Sequence, residues 1–368
     1  MNLKTISTIA DLGFNIIRAN LTKERRPIFL SLFITNRCNL RCRYCFVVDE
    51  RIPKEILCSE YSKEEIFKMV DEFYSMGTRM IFMLGGEPLL HKDIKAIIDY
   101  IVNKGIYLHV ITNGTLIQRK LDDIKNVHAL CVSLDGVGIQ NDELRGEGTF
   151  LKVVEGIRAS VSKGIPTRIH AVVTRRNIND IKSLAELARD LKVKLTVSPP
   201  NFLGETDHEY LRISKDEYKK FWSEYLELYK KGYPIGNVPS AIKKCQEWPA
   251  DYHQYIKTDE VFKGYKPTFC LNGYTYVAVG AEGTMYNCIN RGCLNGPSIK
   301  ELGIRKAWEI LLDWRKDCVS CSSINCIETA MMLNMSIHSL LSGAEFHLAR
   351  SKGNKAHINN SREMGVKN

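Results

Sequence analysis

Cys38, Cys42 and Cys45 lie within eight residues at C-x3-C-x2-C spacing, in the run Ile34-Thr-Asn-Arg-Cys-Asn-Leu-Arg-Cys-Arg-Tyr-Cys-Phe46. Three thiolates this close can hold three irons of a [4Fe–4S] cube and leave the fourth iron open. An open iron can bind a small molecule, which a cluster that only carries electrons does not need. The competing reading is a zinc knuckle whose fourth ligand lies elsewhere in the chain. The triad follows an apolar run, Pro27–Ile34, that has the character of a buried strand.

Further groups recur at the ends of later strand-like runs. Leu84-Gly85-Gly86-Glu87-Pro88 offers two glycines, whose exposed backbone amides and carbonyls can bond a ligand that approaches closely. Thr112-Asn113-Gly114 and Ser133-Leu-Asp-Gly136 follow, and Arg145 comes twelve residues after Ser133. A hydroxyl and a guanidinium can both donate to one carboxylate; the alternative is a turn-capping serine and a surface ion pair. In the last third, Cys270 and Cys288 enclose seventeen residues, Cys318-Val-Ser-Cys321 adds a C-x2-C pair, and Cys326 follows. Four such thiolates could close a second cluster, or equally a zinc site. Cys270, Cys288, Cys318 and Cys321 make the first choice, with Cys293 and Cys326 as rivals. Cys58, Cys131 and Cys245 read as structural or free thiols.

Positioning these groups calls for a parallel sheet. Strand-like runs at 28–34, 79–84, 107–111, 128–134, 167–174 and 194–198 alternate with helical patterns at 62–76, 92–104, 117–124, 150–163 and 178–190. Ser62-Lys-Glu-Glu65 is a capping box, and Gly77 and Gly105 are helix stops. Strands joined by helical crossovers predict an α/β fold with a parallel sheet. Residues 1–27 form an amphipathic basic helix, 28–204 the sheet domain, 205–265 a connector with a helix around 214–231, 266–330 a small cysteine-rich extension, and 331–368 a terminal helix and basic tail.

The cysteine motif, with Tyr44 just before its last cysteine, resembles that of radical S-adenosylmethionine (SAM) enzymes. The resemblance implies a partial (β/α)6 barrel with its chemistry at the strands' carboxyl ends. It implies that Cys38, Cys42 and Cys45 hold a [4Fe–4S] cluster whose open iron chelates SAM. Reductive cleavage would then give a 5′-deoxyadenosyl radical that abstracts hydrogen from a substrate. It further implies cofactor-binding roles for Tyr44, Gly85, Gly86, Glu87 and Asn113, with Gly86 and its neighbours toward the SAM amino group and Ser133 and Arg145 toward its carboxylate. The later cysteines resemble the SPASM and twitch extensions, which implies metal-ligand roles among Cys270, Cys288, Cys318, Cys321 and Cys326 for an auxiliary [4Fe–4S] cluster. The full SPASM set is C-x2-C-x5-C-x3-C and one more cysteine; here the last spacing is x4 and nothing follows Cys326, so one auxiliary cluster is expected. Sulfatase-maturing relatives carry an aspartate base after the cysteine equivalent to Cys288, where this chain has Ile289, and the general base is not identified.

Composition sets the surroundings. The 368 residues are 44% apolar and 26% charged, an ordinary globular balance with no run of about twenty apolar residues to cross a membrane. Twelve cysteines, most of them gathered near the start and in the last third, read as metal-binding thiols in a reducing cytoplasm rather than as a disulfide framework. The net charge is +10, of which residues 1–28 supply +3 and residues 350–368 supply +4. The body is nearly balanced, which disfavours nucleic acid as a partner. Residues 5–21 carry an apolar stripe that can lie peripherally on a membrane surface or pack under the barrel; Asp11 and Gly13 favour packing. The substrate is left as a small molecule, a lipid-linked molecule or a peptide, and no peptide-recognition domain is expected in residues 1–27. A low-potential donor such as ferredoxin or flavodoxin would supply the electron. The alternative to catalysis is an iron–sulfur electron carrier or redox sensor, which would leave Gly85-Gly86-Glu87 and Arg145 without a role.

Overall fold

The structure, a computed structural model, describes residues 3–22, 24–45, 47, 54–200, 209–289, 296–311 and 318–334. Its elements run α1 (Leu3–Thr22), β1 (Phe29–Phe33), α2 (Lys54–Leu57), α3 (Lys63–Met76), β2 (Met80–Leu84), α4 (Ile94–Asn103), β3 (Tyr107–Thr112), α5 (Ile117–Lys120), β4 (Ala129–Ser133), α6 (Ile139–Arg145), α7 (Thr149–Ser162), β5 (Thr167–Val172), α8 (Ile181–Asp190) and β6 (Lys194–Ser198). There follow α9 (Lys215–Lys230), α10 (Pro239–Gln246), β7 (Tyr255–Lys257), β8 (Tyr276–Val279), β9 (Met285–Tyr286), α11 (Ile299–Leu302), α12 (Ile304–Ile310), β10 (Cys318–Cys321) and α13 (Ile324–Leu333).

β1 to β6 pair in sequence order, every contact parallel, as the expected α/β barrel-type sheet requires. Alternation along each strand creates two faces. Leu30, Leu32, Ile81, Met83, Leu108, Val110, Leu130, Val132, Ile169, Ala171, Leu195 and Val197 enter one core with the helices. α3 contributes Ile66, Met69, Val70 and Phe73, and α4 contributes Ile94, Ile97, Ile98 and Ile101. The Ser62–Glu65 capping box and the Gly77 stop, at φ +114°, fix the length of α3 as expected. The intervening strand residues, among them Ser31, Cys131, Ser133, Arg168 and His170, face the opposite, inner side.

The structure departs from the sequence reading at three places. The helix expected over 117–124 stops at Lys120, and α6 forms over a stretch with no expected helix. The cysteine-rich extension contains short helices, and it is not a separate layer. β8 pairs in parallel with β1, from Phe29↔Tyr276 to Leu32↔Val279, so the extension lengthens the same sheet. Of the terminal helix and tail expected over 331–368, α13 reaches Leu333, and residues 335–368 lie outside the described residues.

The lower end of the inner side is closed by α1 and α13. Ile16 and Ala19 pack with Ile28, Phe29, Tyr276 and Leu333, and Asn20 Nδ2 donates to the Leu333 carbonyl at 2.6 Å. α1 thus packs under the sheet, while Ile6, Phe14, Ile17 and Leu21 stay exposed on its outer face. On the other flank, Asn237 and Tyr225 cover the edge strand β6, donating to or accepting from Leu195 and Val197. Glu328 of α13 locks this corner, its Oε1 accepting from Val238 N–H at 2.6 Å and Asn237 Nδ2 at 3.2 Å.

Burial lifts the Glu328 carboxyl to about 7 from its ordinary value of 4.5, against the hydrogen bonds and the charge of Arg168. The folded protein therefore holds this proton more tightly than the unfolded chain, and stability from this group falls as pH rises from 4.5 to about 7, by about 3 kcal/mol. Because both bonds fall on one oxygen, Glu328→Gln keeps them. The variant is expected to melt above the wild type at pH 8 and level with it below pH 4.5; equal melting curves at pH 8 would remove the burial argument.

Candidate functional site

The carboxyl ends of β1 to β5 carry the residues singled out from the sequence, and two buried carboxylates draw them together. Glu87, after β2, is 0% exposed. Its Oε1 accepts from Leu89 N–H at 3.0 Å and Thr112 Oγ1 at 2.8 Å, and its Oε2 from Asn113 N–H at 2.7 Å. Burial nevertheless pushes its carboxyl up to about 7, with the three hydrogen bonds opposing. Through these bonds the Glu87 carboxylate ties the β2 loop to the β3 loop.

The glycines have an equally local reason. A Cβ at Gly85 would stand 2.2 Å from the Thr35 carbonyl oxygen, and one at Gly86 would stand 2.3 Å from that of Arg37. Gly86 N–H donates to Thr35 at 2.7 Å and Glu87 N–H to Arg37 at 2.8 Å. The close approach that demands glycine here is to the backbone leading into Cys38. Asn113 continues the contact, donating through Nδ2 to Asn39 Oδ1 at 2.9 Å and lying 3.9 Å from Cys38 Sγ.

Asp135, also 0% exposed, holds the other side of the cysteine loop. Arg145 meets it with Nε 2.7 Å from Oδ2 and Nη2 donating to Oδ1 at 3.0 Å. Tyr44 donates its hydroxyl to the same carboxylate, and Val172 N–H donates to Oδ1 at 2.8 Å. Arg145 lies over the Tyr44 ring at 5.7 Å, and its Nη1 is 3.9 Å from Cys42 Sγ. Asp135 is not singled out by the sequence, although it stands in the Ser133-Leu-Asp-Gly136 run; its burial and its partners appear only in the fold. Ser133 lies opposite His170 in the β4–β5 register, and Arg145 is ion-paired with Asp135.

Three cysteines on one loop, with polar hydrogens aimed at two of the sulfurs, fit a cluster's needs. Leu40 N–H donates to Cys38 Sγ at 3.4 Å, and Asn113 and Arg145 approach Cys38 and Cys42. Burial raises both thiols, Cys42 to about 12, so each needs the positive charge of a metal to shed its proton. Among the described residues no three His, Cys, Asp or Glu side chains surround a single-ion position, so the fit rests on the donor set.

A second sulfur group gathers where β9, β10 and α13 approach one another. The half-buried Cys326 contacts the Cys288 and Cys321 thiols, with Cys270 in electrostatic reach, and Asn272 Nδ2 lies 3.9 Å from Cys326 Sγ. Cys270 N–H donates to Val319 O at 2.8 Å, which brings its segment onto β10. Cys318 begins β10 opposite Lys257. The rival Cys326 thus stands at the centre of this group. Cys293 lies outside the described residues. Cys131 and Cys245 are core residues, and Cys58 is exposed.

Residues 32–188 match the family described as the Radical SAM superfamily. The chain is 32% identical over 176 residues to an Fe-coproporphyrin III synthase of Methanosarcina barkeri, covering 47% of this chain and 43% of that protein. It is 26% identical over 306 residues to an AdoMet-dependent heme synthase of the same organism, covering 79% and 84%. In fold it is similar to anSMEcpe with bound AdoMet, with TM-score 0.60 and 14% identity over 88% of this chain and 98% of that one. Streptococcus suis SuiB bound to S-adenosylmethionine gives TM-score 0.57 and 18% identity over 82% and 69%.

Gly86→Ala is expected to push the β2 loop off the cysteine loop at a cost of about 1–3 kcal/mol. Iron retained after anaerobic reconstitution should fall by at least half at the first site; full iron at unchanged melting temperature would show that the close contact is dispensable.

Proposed function

We propose that the chain is an enzyme of the radical SAM superfamily, with a [4Fe–4S] cluster and SAM as cofactors, that abstracts hydrogen from a substrate bound on the inner face of its sheet. The observation that carries this is the convergence of the Cys38–Cys45 loop with Gly86, Asn113 and Arg145 at one end of the parallel sheet. Cys38, Cys42 and Cys45 would hold the cluster. When bound, the cluster and SAM supply a 5′-deoxyadenosyl radical once a low-potential donor such as ferredoxin or flavodoxin has delivered an electron.

The chain's own residues position and shield. Arg145 is half of a neutral pair with Asp135, so it brings a directed N–H toward Cys42 and the SAM carboxylate with its net charge already balanced. Ser133, on the adjoining strand end, adds a hydroxyl. The carbonyls of Gly85 and Gly86 would accept from the SAM amino group, the Gly86 amide being committed to Thr35. Glu87 and Asp135 keep these donors fixed before any ligand arrives, which is the protein's part in a cofactor-driven reaction.

For the later cysteines we assign one auxiliary [4Fe–4S] cluster on Cys270, Cys288, Cys321 and Cys326, with Cys326 in place of Cys318. Reconstituted wild type should carry about eight irons per chain and release 5′-deoxyadenosine on addition of dithionite and SAM. Cys42→Ala should lose that product and keep about four irons, Cys326→Ala should also fall to about four, and Cys318→Ala should keep about eight. No 5′-deoxyadenosine from a filled wild-type site would sink the catalytic reading and leave an electron carrier. Iron loss in Cys318→Ala with none in Cys326→Ala would reverse the ligand assignment.

No helix among the described residues is long and apolar enough to cross a membrane. The exposed stripe of Ile6, Phe14, Ile17 and Leu21 supports a peripheral contact with a lipid surface. Phe14→Ser/Leu21→Ser should then sediment less with anionic liposomes than wild type does; identical sedimentation would remove the contact.

A further inference from the structure

The inner face of β4, β5 and β6 carries a charge that nothing on it balances. Along β5, Ile169 and Ala171 enter the helix-side core, which turns Arg168, His170 and Val172 inward. The register sets Arg168 between Cys131 and Lys194, and His170 between Ser133 and Thr196. Arg168 is half-buried, its Nε is shielded from solvent, and among the described residues it makes no hydrogen bond or ion pair. Glu328 lies within its electrostatic reach only, with its own oxygen committed to Val238 and Asn237. His170 offers no counter-charge. Its ring is held between Thr196 Oγ1 at 3.0 Å and Ser198 Oγ at 3.1 Å, and burial, with Arg168 and Arg145 nearby, presses it down to about 3, leaving it neutral.

Arg145, at the upper end of the same face, shows the contrast: it is buried, and Asp135 matches it with two oxygens. A guanidinium without such a partner, its Nε turned out of water and its two Nη groups left open, has its charge unanswered by the described residues around it. Its planar fork suits two oxygens of one carboxylate or phosphate. Arg168 stands four residues down β5 from Val172, which is bonded to Asp135, and four strand residues span about 13 Å. A molecule of modest size could therefore reach from one end to the other.

We propose that Arg168 is a substrate-binding residue that anchors an anionic group, carboxylate or phosphate, so that the substrate's far end lies beneath the cysteine loop. The inference rests on the proposed function for which end of the substrate reacts, and on the geometry of β5 for the anion.

The test uses the full-length reconstituted protein and two anionic probes with their neutral counterparts: coproporphyrin III against its tetramethyl ester, and GTP against guanosine. Dissociation constants are measured by fluorescence and calorimetric titration for wild type, Arg168→Met and Arg168→Lys. One anionic probe should bind wild type at least tenfold more tightly than its neutral form, and which one binds tells carboxylate from phosphate. Arg168→Met should remove that tenfold preference, and Arg168→Lys, which keeps the charge but lacks the fork, should weaken binding about threefold or more. Iron content and substrate-free SAM cleavage should stay at wild-type levels. The proposal is overturned if neither anionic probe is preferred, or if both variants bind as wild type does. Failure of wild type to cleave SAM would count against the proposed function alone, since the binding comparison does not depend on it. Should Arg168→Met fail to fold, the lysine variant still decides.

Discussion

The site depends on backbone touching backbone. Gly86 can donate to Thr35, and Glu87 to Arg37, only because no side chain stands between the β2 loop and the strand leading into Cys38. A loop bearing three half-buried thiols is an awkward object: burial makes the Cys38 and Cys42 sulfurs resist ionisation, and the chain lacks the ladder of a strand or helix. It is fixed by what lies beside it. The glycines bring the β2 loop into reach, Glu87 joins that loop to Thr112 and Asn113, and Asn113 returns to Asn39 and Cys38. Asp135 closes the circuit from the other side through Tyr44 and Arg145.

Both pins are carboxylates taken wholly out of water, a choice that costs free energy unless their lone pairs are filled. Glu87 fills three acceptor positions and still has its carboxyl raised to about 7. Asp135 meets a guanidinium, a phenol and a backbone amide, so its charge is answered by a cation. The difference follows from neighbours: Glu87 is tied by neutral donors, whereas Asp135 faces the one arginine that also reaches toward Cys42.

Much of this arrangement was legible in the sequence, and the limits have physical causes. The six strands could be read because each is a short run rich in apolar residues between helices with clear stops, such as Gly77 after α3. The cysteine triad and the Gly-Gly turn could be read because their chemistry depends on local spacing. The role of Glu87 could not, since a carboxylate's partners are set by which loops the fold brings near, and Leu89, Thr112 and Asn113 are assembled from two loops. Asp135 was hidden for the same reason. β8 was missed because pairing with β1 joins segments some 250 residues apart, a contact that no local pattern encodes. Cys326 was a rival on spacing alone; the α13 turn that carries it next to Cys288 and Cys321 is a tertiary fact.

The same fold sorts charge along the inner face. Near the cysteine loop, Arg145 is balanced by Asp135, so an arriving zwitterion such as SAM meets directed hydrogen bonds without a large net field. At the lower end, Arg168 lacks that balance, His170 beside it is held neutral by Thr196 and Ser198, and α1 and α13 close the floor around Leu333. In the proposed reading, a molecule with one anionic end entering this space gains most by placing that end at Arg168, since the Arg145 charge is already answered by Asp135. Orientation then follows from the difference in charge between two ends of one sheet, and it is set before any contact specific to the substrate is made.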